Sequence, residues 1–99
     1  FTTSSFRLVW KQDDNEVKVN LKSIIVVPKK RIRLATKRNI IRRRMNEAYR
    51  LHKIEFENIL KDRKLKLSIA IIYQNVKILP YSSIEDEIKL ILERLSKEI

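Results

Sequence analysis

The residues most able to do chemistry in this sequence lie between positions 29 and 50, "KKRIRLATKRNIIRRRMNEAYR". Ten Lys or Arg side chains occur there against a single acid, Glu47. The rest of the chain holds thirteen basic and eleven acidic residues, so the formal net charge of +11 is a patch and not a general bias. Clustered cations of this density are the electrostatic footprint of a polyanion partner, nucleic acid before an anionic membrane surface. Arg outnumbers Lys through residues 33–50. Guanidinium forks match phosphate oxygens and also stack on unpaired bases, which favours RNA. The chain has no Gly, which excludes the glycine-rich loops that cradle phosphates through backbone amides. Phosphate binding here must fall to side chains.

Other chemistry is poorly supported. His52 is the only histidine and lies on the apolar stripe of an expected helix, with no second His, Cys or nearby carboxylate to complete a catalytic set. Ser4 and Ser5 fall in a terminus, and Ser82 and Ser83 at a helix start, so none reads as a nucleophile. Asp13, Asp14 and Glu16 could offer oxygen ligands to Mg2+ but read better as solvated turn residues. Glu85, Asp86 and Glu87 open the last helix, where negative charge suits the helix dipole. No convergent carboxylates suggest a nuclease site. The expectation is a chain that binds no metal or cofactor itself and cuts nothing alone.

With 99 residues, 43% of them hydrophobic, the chain is expected to form one domain, residues 1–99, with its own core. It lacks a run of roughly 20 apolar residues that a membrane span needs, a secretory signal, and cysteine. The cytoplasm is the expected compartment. The start at Phe1 in polar "FTTSS" reads as the interior of a longer protein, so an upstream piece is expected.

Positioning elements follow from periodicity. Residues 5–12 alternate Phe6, Leu8 and Trp10 with Arg7, Val9 and Lys11, a half-buried strand. Residues 13–16 read as a turn and residues 17–27 as a second strand ending deep in the core at Pro28, which predicts an antiparallel hairpin. From Leu34 the period becomes helical: Leu34, Ile41, Met45, Ala48, Tyr49 and His52 form one stripe. The helix is expected to reach about Lys53, and to Leu60 after a bend. Residues 64–73, "KLKLSIAIIY", are apolar enough for a central strand. A last helix follows, with Ser82 and Glu85 at capping-box spacing and Ile84, Ile88, Ile91 and Leu95 on one face. The order β-β-α-β-α gives an α+β fold, helices packed on a small, mainly antiparallel sheet.

On that helix Arg38 and Arg42 fall along one edge of the stripe, and Lys37 and Arg44 near the other. Asn39, Arg43, Asn46 and Arg50 project outward. Together with Lys29, Lys30, Arg31 and Arg33 they are the candidate RNA-binding residues. Like charges one turn apart oppose an isolated helix by a few tenths of a kcal/mol per pair, so a merely solvated helix would alternate its signs, as residues 85–97 do.

These residues resemble the bacterial ribonuclease P protein component, especially Bacteroidetes-type members. The likeness rests on the Lys29–Lys30 pair, Ala35, then Lys37, Arg38 and Asn39 opening a helix that continues through Arg42, Arg43, Glu47, Ala48, Tyr49 and Arg50. "SFRLVW" and "SIAIIYQNVKILPYSSIE" extend it over nearly the whole chain. Ile40 and Asn46 stand where the family usually has Arg, the Gly common after the Lys pair is missing, and Arg44 is placed to replace part of the lost charge. The resemblance implies a left-handed β-α-β crossover, contrary to the usual rule, in a fold like the second domain of ribosomal protein S5, with a further helix upstream of Phe1. It also implies a division of labour. A catalytic RNA subunit removes the 5′ leader of precursor tRNA using Mg2+ held mainly by the RNA. The protein docks on that RNA through the basic helix and holds the leader in a cleft between sheet and helix. No protein partner and no membrane are implied.

One face of the first strand could line that cleft, either an aromatic floor with Phe6 and Trp10 or a basic one with Arg7 and Lys11, so Phe6, Arg7 and Trp10 are the candidate leader-binding residues. Base stacking on aromatic rings contributes roughly 1–3 kcal/mol per base. Periodicity leaves open which face is buried. A DNA-binding module reading base edges with Asn39 and Arg43, and a ribosomal-type structural RNA binder, remain the alternatives.

Overall fold

The computed structural model describes residues 1–14, 16 and 18–99. Its elements are β1 (Phe6–Gln12), β2 (Leu21–Val26), α1 (Ala35–Asp62), β3 (Leu67–Tyr73) and α2 (Tyr81–Glu98). This is the expected α+β fold in the expected order. The sheet is mixed, with strand order β1-β3-β2. β1 pairs antiparallel with β3, and β2 pairs parallel with β3.

The expected β1–β2 hairpin does not form. The two strands run in opposite directions but are separated by β3. β3 carries the longest apolar run and is paired along both edges, which satisfies the backbone polar groups of the strand most enclosed by protein. Alternation reports which face of a strand is buried but says nothing of its neighbour. Asn15 in the expected turn and Val17 at the expected start of the second strand lie outside the described residues. β2 is an edge strand and not a deep one, with Ile24 exposed; burial begins beyond it, at Val27.

Side-chain alternation divides the sheet into two unlike faces. Leu67, Ile69, Ile71 and Tyr73 of β3 are buried, as are Phe6 and Leu8 of β1. Onto that face pack Ile41, Met45, Ala48, Tyr49, Phe56 and Leu60 of α1 and Ile84, Ile88, Ile91, Leu92 and Leu95 of α2. The expected stripe of α2 is entirely enclosed. The helices run side by side in the same direction. Arg44 reaches the Leu79 carbonyl ahead of α2, His52 faces Glu85, and Arg63 reaches the Ser96 carbonyl near its end. Among the described residues, no helix lies on the opposite sheet face.

Three local expectations are corrected. Leu34 is 57% exposed and is not a core residue. It is the N-cap in extended backbone (φ −78°, ψ 126°), so helical spacing does not govern where it points. The long helix continues to Asp62, because Phe56 and Leu60 prolong the buried stripe by two further i+4 steps beyond His52. The Ser82–Glu85 capping box is not made. Pro80 is the N-cap of α2 with no side-chain bond, and Glu85 faces His52 instead.

The C-terminus of α1 shows how a chain without glycine turns. The amide of Leu65 donates to the Leu60 carbonyl (2.9 Å) and that of Lys64 to the Lys61 carbonyl (3.2 Å). This is the Schellman pattern, which places the residue after the C-cap in the left-handed region. Lys64 occupies it at φ 56°, where a side chain is disfavoured and glycine is not. Lys64→Gly is therefore expected to stabilise the fold by about 1 kcal/mol. Urea denaturation checks this as a higher midpoint at unchanged slope; a lower midpoint contradicts it.

Candidate nucleic-acid interface

The cations of residues 29–50 occupy three different settings. The first is the turn after β2, where the amides of Arg31 and Ile32 donate to the Pro28 carbonyl. Ile32 is buried and anchors the turn, and Lys29, Lys30, Arg31 and Arg33 stand exposed around it. The second is the outer surface of α1, where Asn39, Arg42, Arg43, Asn46, Glu47 and Arg50 line one shallow hollow. Arg42 donates to Asn39 Oδ1 (3.0 Å), so the Asn holds the guanidinium over that surface. Arg50 donates to Glu47 through Nη2 (2.6 Å) and Nε (3.2 Å). The hydrogen bond from Arg50 holds the Glu47 carboxyl below the usual carboxylate range. The one acid of the stretch is thus ionised at neutral pH and offsets one cation of ten.

The third setting is internal. Arg38 is half-buried, and its Nη1 donates to the carbonyls of Ile32 (3.0 Å) and Arg33 (2.7 Å). Arg44, also half-buried, donates to the Leu79 carbonyl (2.6 Å). Both side chains tie loops to α1. One donor of the Arg44 guanidinium is thus engaged in holding the segment before α2. Ile40 and Asn46 lie on the exposed surface.

The two sheet faces separate the leader-binding candidates. Phe6 is fully enclosed and meets Tyr73 edge-on (centroids 5.5 Å apart, planes at 78°), so its ring cannot stack on a base. Trp10 shares that core-facing side and packs against the core. Arg7 lies on the other side. There, by strand register, Arg7, Val9 and Lys11 of β1, Ser68, Ala70 and Ile72 of β3, and Lys22, Ile24 and Val26 of β2 form an uncovered face. Its middle is apolar, with Val9 and Ile24 46% and 61% exposed, and cations stand at its margins. Sequence alternation puts Lys11 on the Arg7 side of β1 but does not mark Lys22. It takes the β1-β3-β2 order to bring the two strands onto one surface.

Several other polar residues bond within the chain. Thr3 and Ser4 hydroxyls and the Ser5 amide all donate to Glu87 Oε1. Asp13 accepts from Ser68 Oγ (2.7 Å) at the sheet margin, and Asp14 accepts from the Glu16 amide. His52 Nε2 lies 3.7 Å from Glu85 Oε1 between the helices, too far for a hydrogen bond. No helix among the described residues is long and apolar enough to cross a membrane.

The chain is thus an α+β protein with a cation-lined helix surface on one side and an uncovered, half-apolar sheet face on the other. The chain belongs to the ribonuclease P protein family, whose model matches residues 1–96. It is similar to the ribonuclease P protein components of two strains of Porphyromonas gingivalis, at 26% identity over 99 residues and 30% over 100. Each alignment takes in 100% of this chain and 72% of the relative. No solved structure matches it significantly. Family membership makes the chain an accessory subunit of the ribonuclease P endoribonuclease, the role its residues resembled.

The settings of the arginines predict different losses. Arg44→Ala removes a charged donor from a partly buried carbonyl and is expected to cost about 1–2 kcal/mol of stability. Arg43→Ala, on the exposed surface, is expected to change stability by less than about 0.5 kcal/mol. Urea denaturation of both variants checks this, and equal losses contradict it. Arg50→Ala should also return the Glu47 carboxyl toward its ordinary range, which a carbon-detected NMR titration reads directly; an unmoved titration contradicts the Arg50 assignment.

Proposed function

We propose that the chain docks on the catalytic RNA of ribonuclease P through Lys29, Lys30, Arg31, Arg33 and Lys37 and through the α1 surface of Asn39, Arg42, Arg43, Asn46 and Arg50. Its uncovered sheet face then receives the 5′ leader of precursor tRNA. The observation that carries this reading is the segregation of ten cations into one segment that keeps only Glu47 as a local counter-charge. Such a surface is completed by phosphates, with release of their condensed counterions.

The leader is a single strand, with phosphates on one side and base faces on the other. A floor of Val9, Ala70 and Ile24 with Arg7, Lys11 and Lys22 at its margins offers each a partner. Apolar side chains cover bases without choosing among them, and the cations follow the backbone. This assigns the leader contact to Arg7 and its neighbours on the open face and withdraws it from Phe6. Mg2+ belongs to the RNA in this scheme. The protein contributes position and positive potential, which lower the Mg2+ concentration at which RNA-catalysed cleavage proceeds.

Cleavage of precursor tRNA by the cognate catalytic RNA at low Mg2+, with and without the chain, tests the proposal. Stimulation is expected, and its absence with a correctly folded chain defeats the reading. Arg42→Ala should weaken binding to the catalytic RNA and lower the salt slope by about 0.7–0.9, the change expected when one phosphate is no longer neutralised. An unchanged slope places Arg42 off the interface. Asn39→Ala should produce a similar loss, since it frees Arg42 from its 3.0 Å anchor.

A further inference from the structure

One cation cluster is built by the fold and not by the α1 surface. The turn at residues 28–34, the first turn of α1 and the segment joining β3 to α2 enclose a hollow whose lining includes Arg31, Arg33, Lys37 and Lys77 together with Leu34 and Val76. Lys77 lies forty positions beyond Lys37 in sequence, and only the fold brings it to the basic segment. None of the four cations forms an ion pair among the described residues, and no acid lines the hollow. Val76 is 64% exposed, the most exposed large hydrophobic side chain described, and Leu34 is 57% exposed. Apolar side chains left in water among four uncompensated cations fit a partner that is itself half apolar and half anionic.

Both walls are held rigidly, and by side chains that a simple charge reading would have given to RNA. Arg38 fixes one wall through the Ile32 and Arg33 carbonyls. Arg44 fixes the other through the Leu79 carbonyl. The second wall is fastened further by the buried Tyr73. Its hydroxyl donates to the Lys77 carbonyl and accepts from the Leu79 amide (3.2 Å). Burial pushes this phenol up, so it keeps its proton and its role as donor. Asn75 Oδ1 accepts from the Lys77 amide (2.9 Å) and fixes the turn that presents Val76 and Lys77. A loop held at four points has already lost the freedom that binding would otherwise remove.

We propose that this hollow is a nucleotide subsite. It takes one unstacked nucleotide of a single-stranded RNA segment, with the flanking phosphate among Arg31, Arg33, Lys37 and Lys77 and the base or ribose against Leu34 and Val76. Arg38 and Arg44 are then positioning residues that keep the two walls at the spacing of one nucleotide. The proposal rests on the RNA-docking reading above and adds to it an element outside the helix, the segment carrying Val76 and Lys77.

The test uses the full chain with three RNAs: the cognate catalytic RNA, a precursor tRNA and oligouridylate. Lys77→Ala should weaken binding about fourfold at 0.15 M salt and lower the salt slope by about 0.7, the signature of one single-strand phosphate contact. Val76→Ser should weaken binding with the slope unchanged. A photo-cross-linking residue at position 76 should join an unpaired nucleotide, and whether it lies in the catalytic RNA or in the leader identifies the source. The subsite is overturned if Lys77→Ala and Val76→Ser bind like the parent while Arg42→Ala does not. It is overturned equally by cross-links that fall in duplex RNA, on protein or nowhere. If Arg42→Ala also changes nothing, the docking reading itself fails and the subsite falls with it. Both substituted residues are exposed, and the cross-link reads the site without removing a charge.

Discussion

The rest of the structure depends on keeping a helix folded whose polar surface opposes its own formation. Along α1, Arg38 and Arg42 stand one turn apart with Arg43 and Arg44 directly after them, and a like-charge pair at that spacing costs a few tenths of a kcal/mol. The opposing term is burial. Ile41, Met45, Ala48, Tyr49, Phe56 and Leu60 face the sheet and α2, and a buried Ile, Leu, Phe or Met contributes about 1.5–3 kcal/mol. The helix is thus held by one side so that the other can carry uncompensated charge. Its 28-residue length follows from the same requirement. The C-terminal half adds Phe56 and Leu60 to the buried side, and its three cations, Arg50, Lys53 and Lys61, are matched by Glu55, Glu57 and Asp62.

The same economy of roles governs individual arginines. Arg38 and Arg44 sit in the cationic segment but donate to carbonyls of the chain, and Arg42 is steadied by Asn39. The segment therefore contains its own supports. Sheet topology does related work on the far side. With both helices on one face, the β1-β3-β2 order leaves Val9, Ala70 and Ile24 uncovered and brings Arg7, Lys11 and Lys22 to the same surface. A hairpin of β1 and β2 would have placed β3 at an edge and assembled a different floor.

Much of this was legible in sequence, for identifiable reasons. The period of 3.6 marked Ile41, Met45 and Ala48 and the whole of the α2 stripe, because a helix buries a fixed side irrespective of what covers it. β3 was read as central from its unbroken apolar run. The family resemblance in residues 29–50 pointed to the family the chain proved to match. What escaped depends on contacts between distant segments. Strand neighbours are not encoded in alternation, so the hairpin was wrong. Leu34 looked periodic but precedes the helix. Alternation puts Phe6 and Trp10 on one face of β1 and Arg7 and Lys11 on the other, but only the packing of the helices decides which face stays open. Lys77 and Val76 gave no signal, since only the fold carries them to the basic turn.

Amide hydrogen exchange of the chain, free and bound to its catalytic RNA, measures the central claim most directly. If the cationic segment is the docking surface, binding should add protection at residues 29–50 and leave the later half of α1 and all of α2 at their free rates. Protection centred on α2, or spread evenly over the chain, would contradict it.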